Sequence, residues 1–158
     1  MKIAYLHGLE SSNINIKNDW LRTISSNVYD PLINYKQPLI YQKIKIDIID
    51  FKPDLIIGSS MGGFFAYNLS RELDINSILF NPALHSRSFT PDMKGFYKFL
   101  HKPKTRFILG KKDDIIDPKT TIKMMESESY SDFIILEHGH RTPYDVFKNE
   151  ILNFETGS

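Results

Sequence analysis

Between residues 54 and 73 the chain passes from an apolar run, Asp54-Leu55-Ile56-Ile57, through Gly58-Ser59-Ser60-Met61-Gly62-Gly63 into an amphipathic pattern marked by Phe65, Leu69 and Leu73. This is strand, sharp turn and helix, with G-x-S-x-G at the turn. So tight a bend tolerates only small flanking residues, and glycine keeps Cβ atoms out of it. The bend lifts the central serine hydroxyl off the end of a sheet. The helix behind it directs its first amides and its positive dipole end at that hydroxyl.

Strand-and-helix alternation continues along the chain. Lys2 to Leu6 reads as a strand reaching His7-Gly8, and Glu10 to Asn15 as a loop. Ile16, Trp20, Leu21 and Ile24 recur at helical spacing. Val28 to Tyr35 reads as a second strand weakened by Pro31, and Pro38 is placed to open a helix whose face is Ile40, Ile44 and Ile48. Asp54 to Ser59 is the third strand, Ser77 to Phe80 the fourth, Thr105 to Leu109 the fifth and Asp132 to Glu137 the sixth. Leu84 to Lys104 is irregular, with a short helix expected around Met93 to His101. Asp117-Pro118 reads as N-cap and first helical residue, and Thr142-Pro143 caps a last helix that turns Phe147, Ile151 and Phe154 inward. Such alternation argues for a parallel sheet covered on both faces.

A chain of 158 residues suits one domain, read here as residues 1–155, with Thr156-Gly157-Ser158 a frayed tail. Twenty basic and 19 acidic side chains leave a net charge of +1 with no basic block, so no nucleic-acid partner is expected. The absence of cysteine excludes disulfides, cysteine nucleophiles and thiolate metal sites. The opening Met1-Lys2-Ile3-Ala4-Tyr5-Leu6 is too short an apolar run for a signal peptide, and no stretch approaches membrane-spanning length. The expectation is a cytoplasmic protein with no membrane partner.

A serine hydroxyl is a poor nucleophile at neutral pH; it needs a base, and the base needs an orienting acid. Behind a G-x-S-x-G turn the expected chain order is serine, acid, histidine, the last two just past the ends of later strands. After the fifth strand comes Gly110-Lys111-Lys112-Asp113-Asp114-Ile115-Ile116-Asp117. Asp117 is better used as a helix cap, and of the remaining pair Asp113 is preferred over Asp114. After the sixth strand comes Glu137-His138-Gly139-His140-Arg141, where His140, beyond a glycine and nearer the last helix, is preferred over His138. For an oxyanion, one donor should be the Met61 amide and the other the Leu9 amide in the loop after the first strand. Gly8 lets that backbone approach, and His7 reads as a brace for the loop.

These stretches together resemble the small YqiA-like esterases, the UPF0227 family of the α/β-hydrolase superfamily. The likeness rests on Tyr5-Leu6-His7-Gly8-Leu9-Glu10-Ser11-Ser12, on Ile57-Gly58-Ser59-Ser60-Met61-Gly62-Gly63-Phe64-Phe65-Ala66 and on Phe80-Asn81-Pro82-Ala83. It extends to the aspartate-rich run from Asp113 to Asp117 and to Gly139-His140. The resemblance implies Ser60, Asp113 and His140 as a triad, with Leu9 and Met61 as oxyanion amides. It also implies a compact α/β-hydrolase fold: six mostly parallel strands in the order 2-1-3-4-5-6, with little or no cap. The segment from Ala83 to Lys104 looks shorter than in members of the family, so substrate preference does not carry over.

The activity expected is cleavage of small carboxylic esters or thioesters through an acyl-enzyme on Ser60, with a small-molecule acyl ester as partner and no cofactor or metal. Phe89, Met93, Phe96 and Tyr97 either line an acyl groove or merely cover the sheet. The alternatives are an acyltransferase or thioesterase on the same triad, or a non-catalytic binding protein of the same fold.

Overall fold

The computed structural model describes residues 1–9 and 11–154. The elements run β1 (Lys2–Leu6), α1 (Ile16–Ile24), β2 (Asn27–Tyr29), α2 (Ile40–Phe51), β3 (Leu55–Ser59), α3 (Met61–Leu73), β4 (Asn76–Phe80), β5 (Thr105–Gly110), α4 (Pro118–Ser127), β6 (Phe133–Leu136) and α5 (Tyr144–Asn153). The six strands form one sheet in the order β2-β1-β3-β4-β5-β6, and every neighbouring pair is parallel. The chain leaves β1 for one side of the sheet and returns to its other side at β3. The switch point therefore lies between β1 and β3, where sites in such sheets open beyond the carboxyl ends of the strands.

Both faces of the sheet are buried, and the period-2 alternation of the strands divides the core in two. Ala4, Leu6, Ile56, Leu79, Phe107 and Leu109 pack with Ile40, Ile44 and Ile48 of α2, Phe65 and Leu69 of α3 and Met125 of α4. Ile3, Tyr5, Leu55, Ile57, Ile78, Phe80 and Ile108 face the other way, onto Leu21 of α1 and Phe147 and Ile151 of α5. Phe147 sits at the centre of this second cluster, with ring contacts to Tyr5, Trp20 and Phe80.

Five local expectations need correction. The second strand stops at Tyr29, because Asp30 is held by Arg22 and Asn18 and Pro31 follows with no N–H to pair. The second helix starts at Ile40 rather than at Pro38, because Leu39 takes a left-handed conformation with φ 60°. No helix forms between Met93 and His101. There the backbone is held from outside: Glu72 accepts from the Tyr97 amide, and the Arg71 carbonyl accepts from the amides of Leu100 and His101. On α1 only Leu21 of the expected stripe is fully buried; Ile16 and Ile24 are exposed. The last helix has Pro143 at its N-cap position with no side-chain hydrogen bond, so Thr142 supplies no cap. The tail from Thr156 to Ser158 lies outside the described residues. Among the described residues, no helix is long and apolar enough to cross a membrane.

Candidate active site

Ser60 sits between the last residue of β3 and the first of α3 with φ 54° and ψ −115°, strained for a residue with a Cβ. The neighbouring glycines explain how the chain fits such a bend. A Cβ on Gly62 would stand 1.9 Å from the Leu6 carbonyl oxygen, and one on Gly58 would stand 2.4 Å from the Gly62 carbonyl oxygen. The bend is also tied from the side: the Ser60 amide donates to the Phe80 carbonyl, and the Ser60 carbonyl accepts from the Phe64 and Ala83 amides.

Although Ser60 is the N-cap of α3, its hydroxyl caps nothing. Its Oγ lies 2.9 Å from His140 Nε2. His140 Nδ1 lies 2.9 Å from Asp113 Oδ2. An ionised carboxylate only accepts, so Nδ1 carries the ring proton and Nε2 is left to accept from the serine. The Asp113 side chain is fully buried and that of His140 is 17% exposed. The other Asp113 oxygen, Oδ1, accepts from the Ile115 and Ile116 amides at 2.9 Å each. The loop after β5 thus orients its own carboxylate and leaves one oxygen for the imidazole.

The competing residues are placed elsewhere. Ser59 Oγ pairs with the Tyr5 hydroxyl at 3.3 Å, Asp114 is exposed, and Asp117 caps α4 through the Lys119 amide and the Thr120 hydroxyl. His138 is buried, with Nδ1 donating to the Gly139 carbonyl at 2.9 Å. His7, also buried, accepts from the Ile33 amide at Nε2 and donates from Nδ1 to the Gly8 carbonyl, so it does brace the loop after β1. That loop lies against the nucleophile turn: a Cβ on Gly8 would meet Ser60 Cβ at 3.4 Å.

Phe89, Met93 and Phe96 are partly buried against the core cluster that holds α2 and α3. Phe96 packs edge-on to Tyr41 and Phe99, while Tyr97 is 70% exposed. Their contacts are those of a cover over the helices. Asn81, to which the sequence reading assigns no role, is buried at the end of β4 with three side-chain hydrogen bonds to backbone. The signal available for it was an amide residue immediately after a strand and before a proline. Among the described residues, no group of three or more His, Cys, Asp or Glu is placed to hold a metal ion.

The sequence profile of the uncharacterised protein family UPF0227 matches residues 2–98. The chain belongs to this family. No curated protein matches it in sequence. Among solved structures, a protein of Xanthomonas campestris pv. campestris, described as a hydrolase of the alpha/beta superfamily by assignment, superposes with a TM-score of 0.73 at 14% identity, over 97% of this chain and 99% of that one. Esterase PE8 superposes with a TM-score of 0.65 at 12% identity, over 95% of this chain and 89% of that one. Mouse alpha/beta hydrolase domain-containing protein 10 gives 0.66 at 12% identity, over 96% and 86%. The fold of this UPF0227 member is that of the α/β-hydrolases.

Proposed function

We propose that the protein is a serine hydrolase that cleaves small carboxylic esters or thioesters, with Ser60 as nucleophile, His140 as general base and Asp113 as its orienting acid. The observation that carries this reading is the unbroken chain from Ser60 Oγ to His140 Nε2 and from His140 Nδ1 to Asp113 Oδ2, each step 2.9 Å. It starts from a strained serine at the head of a helix, beyond the carboxyl end of β3 at the switch point of the sheet.

In the first step Ser60 Oγ attacks the acyl carbon while its proton passes to His140 Nε2, and the acyl oxygen takes the negative charge. The imidazolium then gives that proton to the departing alkoxide or thiolate, leaving an acyl-enzyme. Water repeats the sequence, its proton going to His140 and then back to Ser60 as the acid leaves. Asp113 keeps Nδ1 protonated and faces the imidazolium with a full charge.

Two amides are suited to the oxyanion. Met61 is the first residue of α3, where amides have no intrahelical acceptor. The Gly8 carbonyl is turned to the Ser11 amide and the His7 ring. In a trans peptide the N–H points opposite to the C=O, so the Leu9 amide faces away from those two partners. Small substrates follow from the connection between β4 and β5, which contains no helix to enclose a bulky group.

The test is covalent labelling with a serine-reactive fluorophosphonate, followed by peptide mapping. Wild type should be labelled on Ser60, and Ser60→Ala should not be labelled. A label on Ser59, or folded wild-type protein that never reacts, would overturn the reading; the latter would favour a binding protein.

A further inference from the structure

We propose that Asn81 is a positioning residue for His140: its side-chain amide fixes the loop that carries the base to the strand that carries the acid. The proposal rests on the serine-hydrolase reading, since it concerns how that site is held.

Asn81 lies directly after β4, is 2% exposed and has a left-handed backbone with φ 44°. Its side chain spans two loops. Oδ1 accepts from the Gly110 amide at 2.7 Å, at the end of β5 and on the approach to Asp113. Nδ2 donates to the His140 carbonyl at 2.7 Å and to the Gly139 carbonyl at 3.3 Å. The amide orientation follows from its partners, because a backbone N–H can only donate and a carbonyl can only accept. An aspartate of the same size would set an oxygen against two carbonyls.

The backbone of the same segment holds the nucleophile. Phe80 accepts from the Ser60 amide, Ala83 donates to the Ser60 carbonyl, and the Asn81 amide donates to Ile108 of β5. One residue between these anchors reaches the His140 backbone directly. The segment Phe80 to Ala83 is therefore hydrogen-bonded to the serine turn, to β5 below the acid loop and to the base loop at once. Without the Nδ2 bonds, the carbonyls from His138 to Thr142 keep His138 Nδ1 on Gly139, the Lys112 amide on His138 and the Lys17 ammonium on Thr142. None of these touches His140. Displacement of a catalytic group by about 1 Å can cost on the order of a hundredfold in rate.

Asn81→Gly is the first variant, because glycine accepts the left-handed backbone and so removes the side chain without adding strain. Asn81→Asp keeps the shape and the acceptor while removing the donor. Hydrolysis of an activated short-chain ester should show kcat reduced roughly 10- to 100-fold in both, with KM within about twofold of wild type. On a His140→Ala background, Asn81→Gly should cause no further loss, because the group it positions is gone. If Asn81→Gly does not fold, Asn81→Ser is read in the same way. Unchanged kcat, an effect on KM alone, full activity of Asn81→Asp, or an equal further loss without His140 would each overturn the proposal. Fluorophosphonate labelling of wild type separates the two readings. If wild type labels and the Asn81 variants match it in turnover, only the positioning role fails; if wild type neither labels nor turns over, the hydrolase reading fails and the positioning role with it.

Discussion

His7 and His140 stand at the same kind of place, beyond the carboxyl end of a strand and beside a glycine, and the fold uses them in opposite ways. The His7 ring is bonded on both sides to backbone, from Ile33 N–H and to Gly8 C=O, and the His7 carbonyl accepts from the Tyr35 hydroxyl. It is 1% exposed, and neither nitrogen is left to receive a proton from a third group. The His140 ring is bonded on both sides to side chains, one a carboxylate and the other a hydroxyl. Backbone partners make a histidine part of the frame, whereas side-chain partners able to exchange a proton make it a candidate base. Residue type and position along a strand end do not separate the two; the partners do.

The largest expected effect breaks the comparison most directly. His140→Ala should reduce ester turnover by about 10⁴–10⁶-fold, as removal of a triad base does elsewhere, with little change in melting temperature. Asp113→Asn should cost about 10⁴-fold by favouring the wrong imidazole tautomer. His138→Ala should still be labelled by the fluorophosphonate. Steady-state kinetics beside a thermal melt decides each case. A dead His138→Ala with an active His140→Ala would move the base to the other histidine.

His7→Leu should show the reverse profile. It leaves the Ile33 amide without its partner, at a cost of about 1–3 kcal/mol for a buried unsatisfied group, while the Gly8 carbonyl keeps the Ser11 amide. Fluorophosphonate labelling should survive. Burial holds the His7 pKa below the usual 6.5, because the protonated ring is poorly solvated there. Between that lowered value and 6.5 the unfolded chain binds more protons than the folded one, so stability rises with pH. The contribution is complete above about pH 6.5 and is lost as pH falls towards the folded value. Urea titrations at pH 7.5 and 5.5 should show wild type losing more stability on acidification than His7→Leu. Equal losses would remove His7 from that account.

Much of this contrast was legible in the chain, for physical reasons. The turn at Ser60 is encoded locally by glycines whose Cβ atoms would collide with backbone, and local signals survive in sequence. Element type also followed from periodicity, since Phe65 and Leu69 on α3 and Ile40, Ile44 and Ile48 on α2 are buried as spaced. Strand order did not come from periodicity; it came from family resemblance. What escaped was non-local. The stretch from Met93 to His101 has residues that tolerate a helix, yet its amides are taken by Glu72 and Arg71 of α3, a capture no window of sequence displays. Glu72 itself is buried and satisfied by Tyr41, Lys45 and Tyr97. The bonds of the Asn81 side chain escaped for the same reason, because its partners lie at residues 110, 139 and 140.

The smallest expected effect repeats the contrast among carboxylates. Asp113 and Asp117 belong to one loop and both bind backbone amides, but only Asp113 has an oxygen on the imidazole. Asp117 caps α4, and the Thr120 hydroxyl, with help from the Lys119 amide, holds its pKa below the usual carboxylate value. A depressed carboxylate stabilises the fold above its unfolded pKa, and that contribution is lost as pH falls through the folded value. Asp117→Ala should therefore lower the melting temperature at pH 7 by roughly 2–5 °C, the usual effect of a lost N-cap in a chain of this size. The deficit should shrink in acid, where the wild-type cap is itself protonated. Turnover should stay close to wild type, because the cap touches neither Ser60 nor His140. A large loss of kcat with an unchanged melting temperature would show that the loop after β5 uses Asp117 for chemistry, and the division between frame and site would have to be redrawn there.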